Sequence, residues 1–110
     1  MNRGVAKQSA PGEGPAAAIT DYDQAIILME GLRASLEPTG RWIDQYRNDL
    51  ATAYVNRGVV KNASKLNGDT DLKSALRICD AILQTATPEA RARAHEIKKF
   101  AISNLKERDE

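Results

Sequence analysis

The stretch "RNDLATAYVNRGVVK" at residues 47–61 decides how this chain folds, because its last six residues nearly repeat an earlier run: "NRGVAK" at 2–7 returns as "NRGVVK" at 56–61. The two copies begin 54 residues apart. Downstream of each lies a segment with apolar residues at helical spacing. In the first, Ala18, Tyr22 and Ala25 give A-x-x-x-Y-x-x-A; in the second, Ala75, Cys79 and Ile82 hold the same intervals. A motif that recurs with a helix at matching register describes one helical hairpin written twice.

Working outward, glycine and proline punctuate only "SAPGEGP" at 9–15, "EPTG" at 37–40, "LNGDTD" at 66–71 and "TP" at 87–88. The segments between have helical length and period and no alternating strand pattern, so the chain is expected to be all-α. The first helix should open at Pro15 and stop before Pro38, with Ala18, Tyr22, Ala25, Met29, Leu32 and Leu36 as its apolar stripe. A second is expected over about 41–65, with Thr39 as its cap and Trp42, Ile43, Tyr46, Leu50, Ala53, Tyr54 and Val55 as apolar positions. A third should span about 71–86. The fourth opens with Thr87 as cap, Pro88 in the first turn and Glu89 near the positive helix end. It carries Ala90, Ala94, Ile97, Phe100, Ala101 and Leu105 on one face. Short connections make successive helices antiparallel.

With these residues placed, the chain resembles the tetratricopeptide repeat family, whose pattern is an aromatic, L-G, an aromatic, A-x-x-x-F-x-x-A and a proline. Tyr54 stands at the first aromatic place, Gly58 at the glycine, Ala75 and Cys79 in the second helix, and Pro88 at the closing proline. Arg3 and Arg57 replace the leucine, and Lys7 and Lys61 replace the second aromatic. The resemblance covers about 2–29 and 51–88. It implies a short α-solenoid over 1–110: a first repeat over 1–36 with a stub opening helix, a second over 41–86, and a capping helix over 88–107. The repeat should close in about 34 residues. The extra residues would lengthen the helices on either side of "EPTG" into a protruding hairpin, with Leu32 and Leu36 zipped against Trp42, Ile43, Tyr46 and Leu50.

The resemblance also implies a concave groove for an extended or helical peptide. Its lining would be Asn2, Val5 and Gln8 from the first copy, and Thr52, Val55, Asn56, Val59 and Asn62 from the second. Asn56 and Asn2 resemble the family's asparagine that hydrogen-bonds a ligand's main chain. Val55 stands where the variety that grips a C-terminal carboxylate needs lysine. A second candidate surface, for a partner or a second copy, is the hairpin with Leu36, Trp42 and Tyr46, of which Trp42 and Tyr46 are residue types that anchor interfaces.

Chemistry-bearing residues are few. Sixteen basic against fifteen acidic residues leave a net charge of +1, no global field for nucleic acid or membrane. One cysteine, Cys79, excludes an internal disulfide framework and a multi-thiolate metal site. Cys79 sits at a packing position, and the single histidine, His95, lies outside the apolar arc of its helix. The outer face of the last helix gathers Arg91, His95, Lys98, Lys99 and Lys106 around Ile102, without interleaved aromatics for stacking on bases. No run of about 18 apolar residues could span a bilayer. The expectation is a cytoplasmic, non-catalytic scaffold or adaptor without cofactor or metal, binding a protein or peptide and pairing as a homodimer. The reading that competes with it is a regulatory piece of a larger enzyme or signalling protein.

Overall fold

The structure, a computed structural model, describes residues 14–85 and 87–106. The groove positions Asn2, Val5 and Gln8 lie outside the described residues. Four α-helices follow one another: α1 (Gly14–Leu36), α2 (Asp44–Ala63), α3 (Asp69–Thr85) and α4 (Pro88–Ser103), with a 3₁₀ turn Glu37–Thr39 after α1. Among the described residues there is no strand, so the chain is all-helical.

Local chemistry accounts for the helix ends. Gly40 takes the left-handed conformation at φ +75° and donates its N–H to Glu37 O, while Arg41 N donates to Leu36 O. These bonds satisfy carbonyls that the end of α1 leaves open. Thr39 belongs to this closure: its hydroxyl donates to Leu36 O at 2.8 Å, so it ends α1 and does not cap α2. Arg41, Trp42 and Ile43 consequently precede α2, which starts at Asp44. At the far end of α2, Lys65 occupies the left-handed region at φ +63°, and Leu66 N returns to Lys61 O at 2.8 Å. Thr87 caps α4 by accepting the Ala90 N–H at 3.3 Å, with Pro88 in the first turn.

Helix α2 is central, packing against each of the other three, while α3 also packs on α4. The largest buried cluster joins Val55 of α2, Leu72, Cys79 and Ile82 of α3, and Ala94 and Ala101 of α4. Two smaller clusters join α1 to α2: Ala18 and Tyr22 with Val60, and Ile26 with Leu50 and Ala53. Along α1 the buried positions advance by four residues, Ala18, Tyr22, Ile26, and then Glu30 meets Tyr54. The contact therefore follows an i, i+4 ridge, which is inclined to the axis of α1. A stripe drawn straight down the axis therefore misplaces Leu32, which is exposed, and Ile43 is exposed as well. Phe100 of α4 is also exposed, because the contact face of α4 is carried by Ala94 and Ala101.

The lengthened α1–α2 hairpin does not stand free. Asn48 in the first turns of α2 is 1 % exposed and donates from Nδ2 to Ala90 O at 3.2 Å. Asp49 pairs with Arg93 at 2.8 Å, and Asn62 donates to Asn104 O at 3.2 Å. Partners that rise together along both helices mean that α4 runs parallel to α2 and covers the base of the stretch expected to project, while residues 37–41 around its tip are exposed.

Candidate binding surfaces

The repeated N-R-G motif divides its work among three residues. Gly58 is where α2 and the start of α3 touch: a Cβ there would lie 2.7 Å from Gly68 O and 2.9 Å from Leu72 Cγ. A Cβ on Gly68 would overlap the Gly58 carbonyl. Two glycines thus let backbones meet where a side chain would hold them apart.

Arg57 turns the other way and ties three helices. Its Nε and Nη2 donate to Asp71 Oδ2 and Oδ1 at 2.8 and 2.6 Å, and Nη1 donates to Asp23 Oδ1 at 2.8 Å. The Asp71 side chain is 6 % exposed, so its charge depends on this planar fork, with Lys61 Nζ at 3.7 Å as a secondary partner. The hydrogen bonds to Asp71 first, then those to Asp23, hold the guanidinium protonated against the cost of burial. Beneath it lies the Tyr54 ring, 5.6 Å from the guanidinium carbon. Tyr54 donates its hydroxyl to Glu30 Oε2 at 2.6 Å, and burial together with that carboxylate pushes the phenol up to about 12. Asp80 of α3 receives Lys98 of α4 at 2.8 Å. Asp23 and Asp80 each follow the Tyr22 or Cys79 position of the repeat, so both helix pairs carry an acid–base clasp at the same repeat position.

Asn56, the third residue, is half-buried, and among the described residues its amide has no hydrogen-bond partner. Thr52, one turn earlier on the same face, is also half-buried, and its hydroxyl donates to Asn48 O at 2.9 Å. The other groove residues fare differently. Val55 is 3 % exposed and packs in the main core, and Val59 lies partly buried against it, so Val55 offers no side chain to a ligand. Helix α4 lies over that side of α2, which a two-helix projection from the sequence did not include. Asn62 is committed to the fold: Oδ1 accepts the Gly68 N–H at 2.8 Å, and Nδ2 donates to Asp69 Oδ1 and Asn104 O.

One turn N-terminal of Thr52, a cleft of about 390 Å³ runs between the N-terminal turns of α2 and α4, walled by Ile43, Asn48, Glu89 and Arg93 among others. Asn48 Oδ1 is buried without a hydrogen-bond partner. Sequence reading missed Asn48, since a polar residue at a packing position is recognisable only once α4 is seen above it. A larger cleft of about 620 Å³ opens between α1, α2 and α3, with Trp42, Leu50, Tyr54 and Ile78 at its apolar surface and Glu30, Arg33, Arg47 and Arg77 among its polar groups. Arg33 is engaged by Glu30 and Glu37, and Arg47 by Asp44. Of the hairpin residues, Leu36, Trp42 and Tyr46 are all half-buried. Trp42 packs against the Ile26–Leu50 cluster with its ring 5.8 Å from that of Tyr46, so it seals the α1–α2 junction.

Cys79 and Lys98 of α4 are engaged within the fold. Cys79 is fully buried, and burial pushes its thiol up to about 11. On the outer face of α4, Lys98 is taken by Asp80 and Lys99 lies 3.6 Å from Glu96, which breaks the basic stripe. Among the described residues no group of three or more His, Cys, Asp or Glu side chains could hold a metal ion, and no helix is long and apolar enough to cross a membrane. Compared with protein-family models, curated proteins and solved structures, the chain matches none.

Proposed function

We propose that this chain is a non-catalytic protein-interaction module, a tetratricopeptide-like helical stack that takes an extended peptide along the face of α2 beside α4. One observation carries the reading. Asn56 presents a half-buried amide with no hydrogen-bond partner among the described residues, on the α2 face that also carries Thr52, and a cleft walled by Ile43, Asn48 and Arg93 opens further towards the N-terminal end of the same helix. A peptide main chain can give the Asn56 amide the hydrogen bonds it does not make within the fold, each worth about 1 kcal/mol net, while the cleft covers an apolar side chain against Ile43. The back-to-back Gly58 and Gly68, the parallel course of α2 and α4, and the repeated Asp23–Arg57 and Asp80–Lys98 clasps support the solenoid arrangement. Pairing of two copies belongs to the same reading, as does a scaffold role without cofactor.

The test is a selection of binders from a random peptide library displayed on phage, followed by mapping of amide chemical shifts on the labelled chain. Selected peptides should perturb Asn48, Thr52, Asn56 and Arg93, and Thr52→Arg should abolish binding by filling the groove without touching the core. Peptides that perturb only the α1–α3 cleft around Trp42 and Arg77, or a selection that enriches nothing, would refute the proposal.

A further inference from the structure

Helices α1 and α3 both lie against α2, yet among the described residues they do not pack on each other. Arg57 ties them by bridging Asp23 of α1 and Asp71 of α3. Beyond that clasp, towards Trp42, the gap between them stays open as the cleft of about 620 Å³. Its floor is α2, through buried Leu50 and half-buried Tyr54. Each of these precedes a residue of the Thr52–Asn56 face by two positions, which at about 100° per residue puts the floor on the opposite side of the helix.

The charges around this cleft are answered unequally. Arg33 lies 3.6 Å from Glu30 and 3.5 Å from Glu37, and Arg47 is bonded to Asp44 at 3.0 Å. Glu30 also accepts the Tyr54 hydroxyl, so both acids that line the cleft have a donor within the fold. Arg77 has no such counterpart. Among the described residues its guanidinium meets no carboxylate; Nη2 donates to Ser74 Oγ at 3.0 Å, and the rest of its planar donor fork faces solvent. The Ser74 hydroxyl that receives it is itself held, donating to Thr70 O at 3.1 Å.

The same cleft offers Arg77 an apolar neighbourhood, formed by the half-buried Trp42 ring, Leu50 and half-buried Ile78. Its volume falls within the roughly 300–1,000 Å³ of small-molecule sites. We infer that the cleft binds a small aromatic carboxylate, its ring against Trp42 and Ile78 and its carboxylate on the Arg77 guanidinium. A bare anion would leave the apolar surface uncovered, and a neutral apolar molecule would leave the planar fork without its matching group. A cation would face Arg77 as a like charge, while the acids able to draw it are already engaged by Arg33 and Tyr54. The site and the peptide groove occupy opposite sides of α2, so the two can fail separately.

The probes are naphthylacetate, its uncharged counterpart naphthylethanol, and acetate, each titrated into the nitrogen-labelled full chain and followed by nitrogen–proton correlation spectra. Trp42 is the chain's only tryptophan, so its indole N–H gives a single reporting signal. Naphthylacetate should shift that signal together with the amides of Leu50, Arg77 and Ile78, saturating with a Kd on the order of 1 mM for a ligand of this size. Naphthylethanol should bind about five-fold more weakly, and acetate should leave the Trp42 signal in place. Arg77→Gln, at an exposed position, should bring naphthylacetate down to the naphthylethanol affinity. Arg91→Gln removes the same charge from an exposed position on α4 and should bind like the wild type. Equal affinity for the two naphthyl compounds, full affinity in Arg77→Gln, acetate alone moving the same signals, or a Trp42 signal unmoved by naphthylacetate up to about 10 mM overturns the assignment. A chain that binds the selected peptides but not naphthylacetate overturns this inference alone, and one that binds naphthylacetate at Trp42 but no peptide overturns the groove alone.

Discussion

Gly58→Ala and Gly31→Ala make the same chemical change in two helices and should move stability in opposite directions. At Gly58 the new Cβ would meet Gly68 O at 2.7 Å and Leu72 Cγ and Cδ2 at 2.9 and 3.0 Å, all inside ordinary contact distance. The nearest of these atoms is backbone, so it cannot rotate aside, and α2 and α3 must separate by several tenths of an ångström. Overpacking of this kind costs about 1–3 kcal/mol, and a rigid neighbour puts it in the upper half of that range. Alanine's better helix propensity returns about 1 kcal/mol, leaving a net loss of about 1–2 kcal/mol. At Gly31 nothing beyond the adjoining residues and the helix's own backbone lies within 4 Å of a Cβ, so the propensity gain of up to about 1 kcal/mol stands alone. The two variants should therefore differ by about 2–3 kcal/mol, read from urea denaturation followed by circular dichroism. In melting temperature each kcal/mol corresponds to about 4–8 °C for a domain near this size. A Gly58→Ala protein as stable as the wild type, or as stable as Gly31→Ala, would refute the close-approach argument.

Arg57→Leu, which installs the residue that the tetratricopeptide pattern carries there, should cost about 3 kcal/mol by stranding the buried Asp71 carboxylate with only Lys61 beside it. Removing the acid as well, in Arg57→Leu with Asp71→Leu, should recover much of that loss, and a double-mutant cycle in urea measures the coupling; a double variant worse than the single one would contradict it. The Tyr54 phenol has a folded pKa of about 12 against an ordinary value of 10.0, so its contribution is fully present below pH 10. It is lost between pH 10 and 12, as the unfolded chain releases the proton first. Tyr54→Phe should flatten the stability profile over that window relative to the wild type, and an unchanged profile would remove the Glu30 contact from the account.

Much was legible in the sequence because it depends on neighbours along the chain. The all-helical class, the Thr87–Pro88 start of α4, the break after Leu36 and the packing role of Cys79 follow from spacing, capping chemistry and ring geometry within a few residues. The glycine of N-R-G was readable as a close approach, since nothing else explains it twice. A further signal went unread: Asp23 and Asp80, each one residue past the Tyr22 or Cys79 position, mark where the next helix must bring a base.

What tertiary structure alone decided is which side of each helix the rest of the molecule covers. Periodicity assigns a stripe relative to its own axis and says nothing of the angle at which another helix crosses it. The i, i+4 contact of α1 on α2 is what buries Ile26, brings Glu30 to the Tyr54 hydroxyl and leaves Leu28 and Leu32 outside. Likewise, α4 lying parallel to α2 converts Val55 from a groove residue to core, commits Asn62 to the fold and buries Asn48. Helices form from local energies that the sequence states directly; their faces are chosen by packing between segments distant along the chain, and only the assembled fold contains that choice.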